Sequence, residues 1–561
     1  MKKLLLVLFL SLFLVNQAFS SEEKKVIKVA ISNQNFSNYD YKNIKLSSDM
    51  PIKIISISQN VAIEPIEENS VIDVVLNEEL YEIYVNNELK YNNLKAPLIF
   101  SSNSELQVLE LNRKGMPAKY KGMMEILNSK NKGYFNLINV IDMQNYLRGV
   151  VSNEMPASFG LEALKAQSVA ARNYANNAQI SPNYDVVDST ASQVYYGANS
   201  YQDISDMAVY QTHGIYALYN ENPITALYFS TSPGITDDWD DVFGDGNYSG
   251  KHPYLKARYD YEEKPLKSEK DIEDFYTKKD NGFDTNSPKF RWEYEFMRAE
   301  LEETLHNTLQ QQSKAGFVTP IYDGTIKLEG IKEIKATKRT QSGKITEIEI
   351  IAKTGEYKVN TQLAIRRVFR KNNAMLPSSN FFVTASKKEE LIEDEENKEE
   401  EKGVMKFFDF SSENKYPQSF NFIGGGFGHG VGMSQYGAYN LAKAGKKYSE
   451  ILNHYYTDIK ISTMPKIVSF NSYNSWQKTD FYFDKQTFEK AYLYINNQKG
   501  IHNFPFKINE YEFSDTQNIA NKKVVKINIT DYLKDGINTI NFAPLTQDCC
   551  NRQLIYRVEF Q

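Results

Sequence analysis

"YLRGVVSNEMPASFGLEALKAQSVAARNYA", residues Tyr146 to Ala175, joins an acidic side chain and a proline turn to an alanine-rich segment. A residue before proline is biased toward extended backbone, so Met155-Pro156 places Glu154 at or beside a turn. Upstream, "GYFNLINVIDMQNYLRGVV" reads as a strand leading into a short helix with Asp142 available as its N-cap. Downstream, helix is predicted from about Leu161 to Asn177. Ala163, Ala166, Ala170, Ala171 and Ala175 are strong helix formers and let a neighbouring backbone approach closely. Lys165, Ser168 and Arg172 then share one stripe of that helix. If the stripe turns back toward the turn, Glu154 gains two cationic neighbours. The simpler local reading is a helix start with a carboxylate and two solvated basic residues.

The chain has 561 residues, enough for several modules. "MKKLLLVLFLSLFLVNQAFS" has two lysines, an apolar run from Leu4 to Val15, and small residues Ala18 and Ser20, the pattern of a signal peptide over residues 1–20. A secreted or cell-wall-associated protein is therefore expected, with an uncleaved N-terminal anchor as the alternative. No cysteine stands near the cleavage point, which argues against lipoprotein processing. Lysine and arginine number 65 against 71 acidic residues, a net charge of -6, so no polybasic surface points to nucleic acid. Cys549 and Cys550 are adjacent, and neighbouring cysteines rarely form an unstrained disulfide. Stability has to come from packing.

From Val26 to about Tyr120, alternating runs such as "PIKIISI" and "SVIDVVL" read as strands, giving a β-rich N-terminal region over 21–125. Further on, "ITALYFSTSPGITDDWDDVFG" is a strand breaking into an acidic loop that holds Asp237, Asp238, Asp240 and Asp241. A solvated loop is the default reading. "KFRWEYEF" and "KITEIEIIAK" read as strands, and "RAELEETLHNTLQQQ" and "TQLAIRRVF" as helices. The charged run 387–402 reads as a solvated helix or disordered insertion without catalytic meaning. The whole is expected to be α+β and multidomain, with a β-rich N-terminal region and a C-terminal β-sandwich flanking a mixed core over 126–461.

A second dense motif, "IGGGFGHGVGMSQYGAYNLAKAGKKYSEILNHYY", runs from Ile423 to Tyr456. Its five glycines from Gly424 to Gly430 permit positive φ and leave backbone amides open, as a loop against a ligand requires. A helix beginning near Ser434 should end at Gly445. The glycine spacing fits neither a Walker motif nor a dinucleotide fingerprint, and Ser434 does not stand in G-x-S-x-G. His429 and His454 lack the acidic spacing of a metal site, and ordinary packing is the better reading of His454.

"YLRGVVSNEMP", "EALKAQSVAARNYA", "DSTASQVYYG", "HPYL", "FRWEYEF", "AIRRVF" with "LPSSNFF", and "GGGFGHGVGMSQYGAYNLAKAG" resemble, in order, the stage II sporulation protein D (SpoIID) and amidase enhancer (LytB) family over roughly Gly133 to Ile461. The resemblance implies a bacterial cell-wall protein acting on peptidoglycan glycan strands, some members being lytic transglycosylases. It implies Glu154 as catalytic acid, Lys165 and Arg172 as supporting cations, and Ser230, Asp240, His429, Ser434 and Gln435 along the substrate groove. Nearby cations lower a carboxyl pKa, so Lys165 and Arg172 are open to three readings: binding substrate, orienting Glu154, or stabilising it after proton donation. Members with zinc carry His and Cys around D-S-T-x-x-Q; here Ala191 and Ser192 stand there, so neither a metal nor another cofactor is expected. The paired glycine after the serine-rich strand is replaced by Pro233-Gly234. Beyond Pro465, "INITDYLKDGINTINF" resembles the late strands of galactose-binding-like β-sandwiches, placing such a module, with sugar binding open, over 465–561. Two functions follow: a lytic transglycosylase, or a noncatalytic wall-binding enhancer or recruiter of an N-acetylmuramoyl-L-alanine amidase. The intact Glu154, Lys165 and Arg172 set favours the first.

Overall fold

A computed structural model describes residues 26–244, 250–261, 264–386, 416–469, 477–497, 501, 504–514, 516, 524–543 and 553–561. The segment 1–20 expected to be a signal peptide, the charged run 387–402 and the Cys549–Cys550 pair lie outside the described residues. The architecture is mixed α+β with several sheets, and the chain divides into two compact units. The first comprises 1–226, 442–453 and 458–561; the second comprises 227–441 and 454–457.

In the first unit, the N-terminal alternation becomes two sheets. A seven-stranded sheet runs in the order 186–187, 26–30, 135–142, 123–128, 98–101, 52–56, 61–66, and a six-stranded sheet runs 116–120, 106–113, 43–47, 72–77, 80–85, 88–94. Strand Ile52–Ser56 shows the strict in-out burial that its alternating sequence dictates. The chain's first described strand, Val26–Ala30, pairs antiparallel with Phe135–Asp142 and parallel with Val186–Val187, so it is built into the sheet beneath the Glu154 helix. That helix, α1 (Met143–Glu154), starts where Asp142 accepts the amides of Gln144 and Asn145 at 3.1 and 3.0 Å. It stops at Glu154, because Met155 before Pro156 turns extended at φ -135°. Helix α2 (Leu161–Asn177) follows, then α3 (Asp203–Tyr210).

The C-terminal strands do not stand apart from this core. One sheet runs 222–223, 216–219, 460–462, 553–560, 491–496, 524–528, joined where Ser462 pairs with Glu559. A four-stranded sheet of 477–483, 536–542, 506–508 and 511–513 supplies further buried aromatic packing, including Phe481, Phe483 and Phe542.

The second unit contains a three-stranded sheet, 292–297, 419–424 and 381–385, and a four-stranded sheet, 318–319, 355–360, 345–352 and 331–339. Helices Arg298–Lys314 and Gln362–Val368 contribute Leu301, Leu305, Leu309, Ile365 and Val368 to one core with Phe381, Phe420 and Phe422. No helix among the described residues is long and apolar enough to cross a membrane.

Candidate functional site

Glu154 closes α1 half-buried, and the amide of Val194 donates to its Oε1 at 2.6 Å. Burial, only partly offset by that amide, pushes its carboxyl up from 4.5 to about 7. Tyr146, about two turns earlier on α1, and Tyr174 of α2 sit within its electrostatic reach, and burial holds both phenols above their usual range. A carboxyl poised near neutrality can both give and accept a proton.

The segment 188–195 brings Val194 to this place. Asp188 is fully buried, paired with Arg113 at 3.1 Å and accepting the amide of Ser32 at 3.1 Å. Tyr195 lies over Gly149 of α1, where a Cβ would meet its ring at 2.5 Å, and donates to Asn139 at 2.7 Å. A side chain at position 149 would push the segment off the helix.

Lys165 and Arg172 share the expected stripe, but the stripe is buried rather than solvated, with 3% and 0% exposure. The ammonium of Lys165 pairs with Glu162 at 3.0 Å and with Asp484 at 2.9 Å, tying α2 to the residue that follows the strand Gln477–Phe483. Arg172 donates to the carbonyl of Ile215 at 3.0 Å and to the hydroxyl of Thr212 at 3.2 Å, beyond α3. At Glu154 burial dominates, opposed by the Val194 amide, and the net shift of the carboxyl is upward.

Ser230, Asp240, His429, Ser434 and Gln435 all fall in the second unit. The hydroxyl of Ser434 reaches the carbonyl of Ser230 at 3.4 Å, accepts the amide of Ser232 at 3.1 Å, and donates to the buried carboxyl of Asp284. Burial and the neighbouring Asp260 hold Asp284 well above the usual carboxylate range. Gln435 is buried at the start of helix Gln435–Lys443. His429 donates from Nε2 to the carbonyl of Tyr228 at 3.0 Å and accepts the amide of Val431 on Nδ1 at 3.1 Å. It packs between Phe229 and Phe243, and burial lowers its pKa to about 4, so it is neutral at physiological pH. Asp240 lies in the short helix Trp239–Phe243 and accepts the amide of Gly250 at 3.0 Å.

The acidic loop is not uniformly solvated. Asp237 is 1% exposed, 3.6 Å from the Lys344 ammonium, and takes hydrogen bonds from Thr340 and Ser342 at 2.5 Å each. The Pro233-Gly234 replacement also has a packing role: Pro233 lies against Gly425 and Gly426, where added Cβ atoms would meet it at 3.2 and 3.0 Å. Sequence reasoning did not single out Val194, Gln193, Tyr146 or Tyr174 around Glu154, nor Asp284 beside Ser434. The quoted "DSTASQVYYG" run contains the first two, but a backbone amide leaves no mark in residue type. Among the described residues, no three of His, Cys, Asp and Glu gather as metal ligands.

Comparison with known proteins adds family context. Residues 131–219 match the stage II sporulation protein (SpoIID) family, and residues 243–432 match a domain of unknown function, DUF8618. The chain is 32% identical over 314 residues to the amidase enhancer of Bacillus subtilis (strain 168), covering 55% of this chain and 39% of that protein. It is 29% identical over 341 residues to stage II sporulation protein D of the same strain, covering 57% and 75%. The stage II sporulation protein D of Bacillus amyloliquefaciens is 27% identical over 347 residues, covering 59% and 76%. The match thus spans well under two thirds of the amidase enhancer.

Proposed function

Because this chain carries a SpoIID domain at residues 131–219, with relatives named amidase enhancer and stage II sporulation protein D, we propose that it acts on the bacterial cell wall as a peptidoglycan lytic transglycosylase. The observation that carries this reading is Glu154: a carboxyl at a helix end, raised to about 7 by burial. Protonated Glu154 gives its proton to the departing glycosidic oxygen as the bond from C1 breaks and an oxocarbenium-like centre develops. The resulting carboxylate takes the proton of the muramic acid C6 hydroxyl, which closes on C1. One bond is lost and one formed, no water is consumed, the product is a 1,6-anhydro end, and Glu154 regains its proton. A single carboxyl suffices, whereas hydrolysis would call for a second one to activate water. The same reading takes the chain as exported, with glycan strands as its partner.

A second reading draws on the amidase enhancer: a wall-binding protein that recruits or stimulates an amidase without cleaving glycan. Mass spectrometry of glycan strands, with and without stem peptides, after incubation with the wild type and with Glu154→Gln separates the two. Anhydro-muramic ends from the wild type alone are expected. Reducing ends would indicate hydrolysis. Intact strands, with binding retained by both proteins, would favour the enhancer.

A further inference from the structure

The segment that delivers the Val194 amide is held by its neighbour. Gln193 is fully buried; its Oε1 accepts the Tyr146 hydroxyl of α1 at 2.9 Å, and its Nε2 reaches the Ala171 carbonyl of α2 at 3.4 Å. Glutamine suits this place because one planar group both donates and accepts, so it can bridge a hydroxyl on one helix and a carbonyl on the next. The following residue gives its N–H to Glu154 at 2.6 Å. Upstream, the Asp188–Arg113 pair and the Ser32 amide fix the other end of the segment to the N-terminal β region.

We propose that Gln193 is a positioning residue for Glu154: by clamping α1 to α2 through one side-chain amide, it sets the place of the Val194 N–H and hence the direction of the Glu154 carboxyl. This rests on the glycan-cleaving reading of Glu154. Gln193 touches no reacting atom. Its effect passes through the backbone, where a displacement of about 1 Å at a reacting group is enough to cost on the order of a hundredfold in rate. The Val194 amide favours the carboxylate form, so losing it moves the Glu154 titration upward. Tyr146 and Tyr174, titratable groups within its electrostatic reach, have raised pKa values and stay neutral between pH 5 and 9.

The test compares the full-length wild type, Gln193→Leu and Tyr146→Phe. Tyr146→Phe breaks the same bond from the other side with little change in bulk. On purified glycan strands, Gln193→Leu should lower kcat about tenfold or more with KM within about threefold, and its alkaline limb should move to higher pH. Tyr146→Phe should move both in the same direction by less. Carbon-13 NMR of glutamate-labelled protein, with Glu154→Gln used to assign the signal, reads the Glu154 titration without any turnover. A wild type that cleaves nothing would sink the transglycosylase reading and leave this titration to decide the role of Gln193. Folded Gln193→Leu, or folded Tyr146→Phe should the first not fold, with wild-type kcat, limb and titration would overturn the proposal.

Discussion

Glu154 and Asp237 are both carboxyls whose charge is opposed by burial, yet their surroundings differ. Around Asp237 the Lys344 ammonium and the Thr340 and Ser342 hydroxyls converge on a group 1% exposed. Around Glu154, the Val194 amide opposes burial only in part, and the carboxyl is raised to about 7. A buried carboxyl met by a cation and hydroxyls becomes part of the scaffold. One in which burial outweighs its donors keeps a proton that it can give away.

The largest effect is expected at Lys344. Replacing it with methionine removes the cation and leaves the Asp237 charge buried, which should lower stability by about 3 kcal/mol. Urea unfolding reads this directly, and a change below about 1 kcal/mol would mean that the hydroxyls alone hold Asp237.

Glu154→Gln should have a pH-dependent effect. The folded carboxyl lies near 7 and the unfolded one near 4.5, so the stability tied to its protonated form is fully present below about 4.5 and lost as pH rises through 7. The glutamine variant carries no such loss. It should match the wild type near pH 4 and exceed it by about 3 kcal/mol at pH 8. Thermal unfolding across that range checks this, and parallel curves would place the Glu154 titration close to an ordinary carboxyl. A smaller effect is expected from Asp142→Ala, which uncaps the helix carrying Glu154 and should cost about 1 kcal/mol in the same assay.

Much of this was legible in the sequence. Asp142 caps α1, and the alanine-rich stretch gives a helix over Leu161–Asn177, as composition and spacing suggest. What local reading missed is long-range. The charge of Lys165 is met by Asp484, 319 positions later, so its burial on α2 could not be read from a stripe that looks equally suited to solvent. Arg172 is held by a carbonyl and a hydroxyl beyond α3, and Asp237 by a lysine more than a hundred residues on. The joining of the C-terminal strands to the core sheet depends on one register, Ser462 against Glu559, which neither strand's alternation specifies. The Val194 amide belongs to the backbone and is equally silent.

The most direct test of the central claim is the pH dependence of kcat for wild-type cleavage of purified glycan strands between pH 4 and 9. Turnover should need a protonated Glu154 and fall as pH rises through about 7. A limb near 4.5, or a profile that stays level to pH 9, would contradict the assignment of Glu154 as the proton donor.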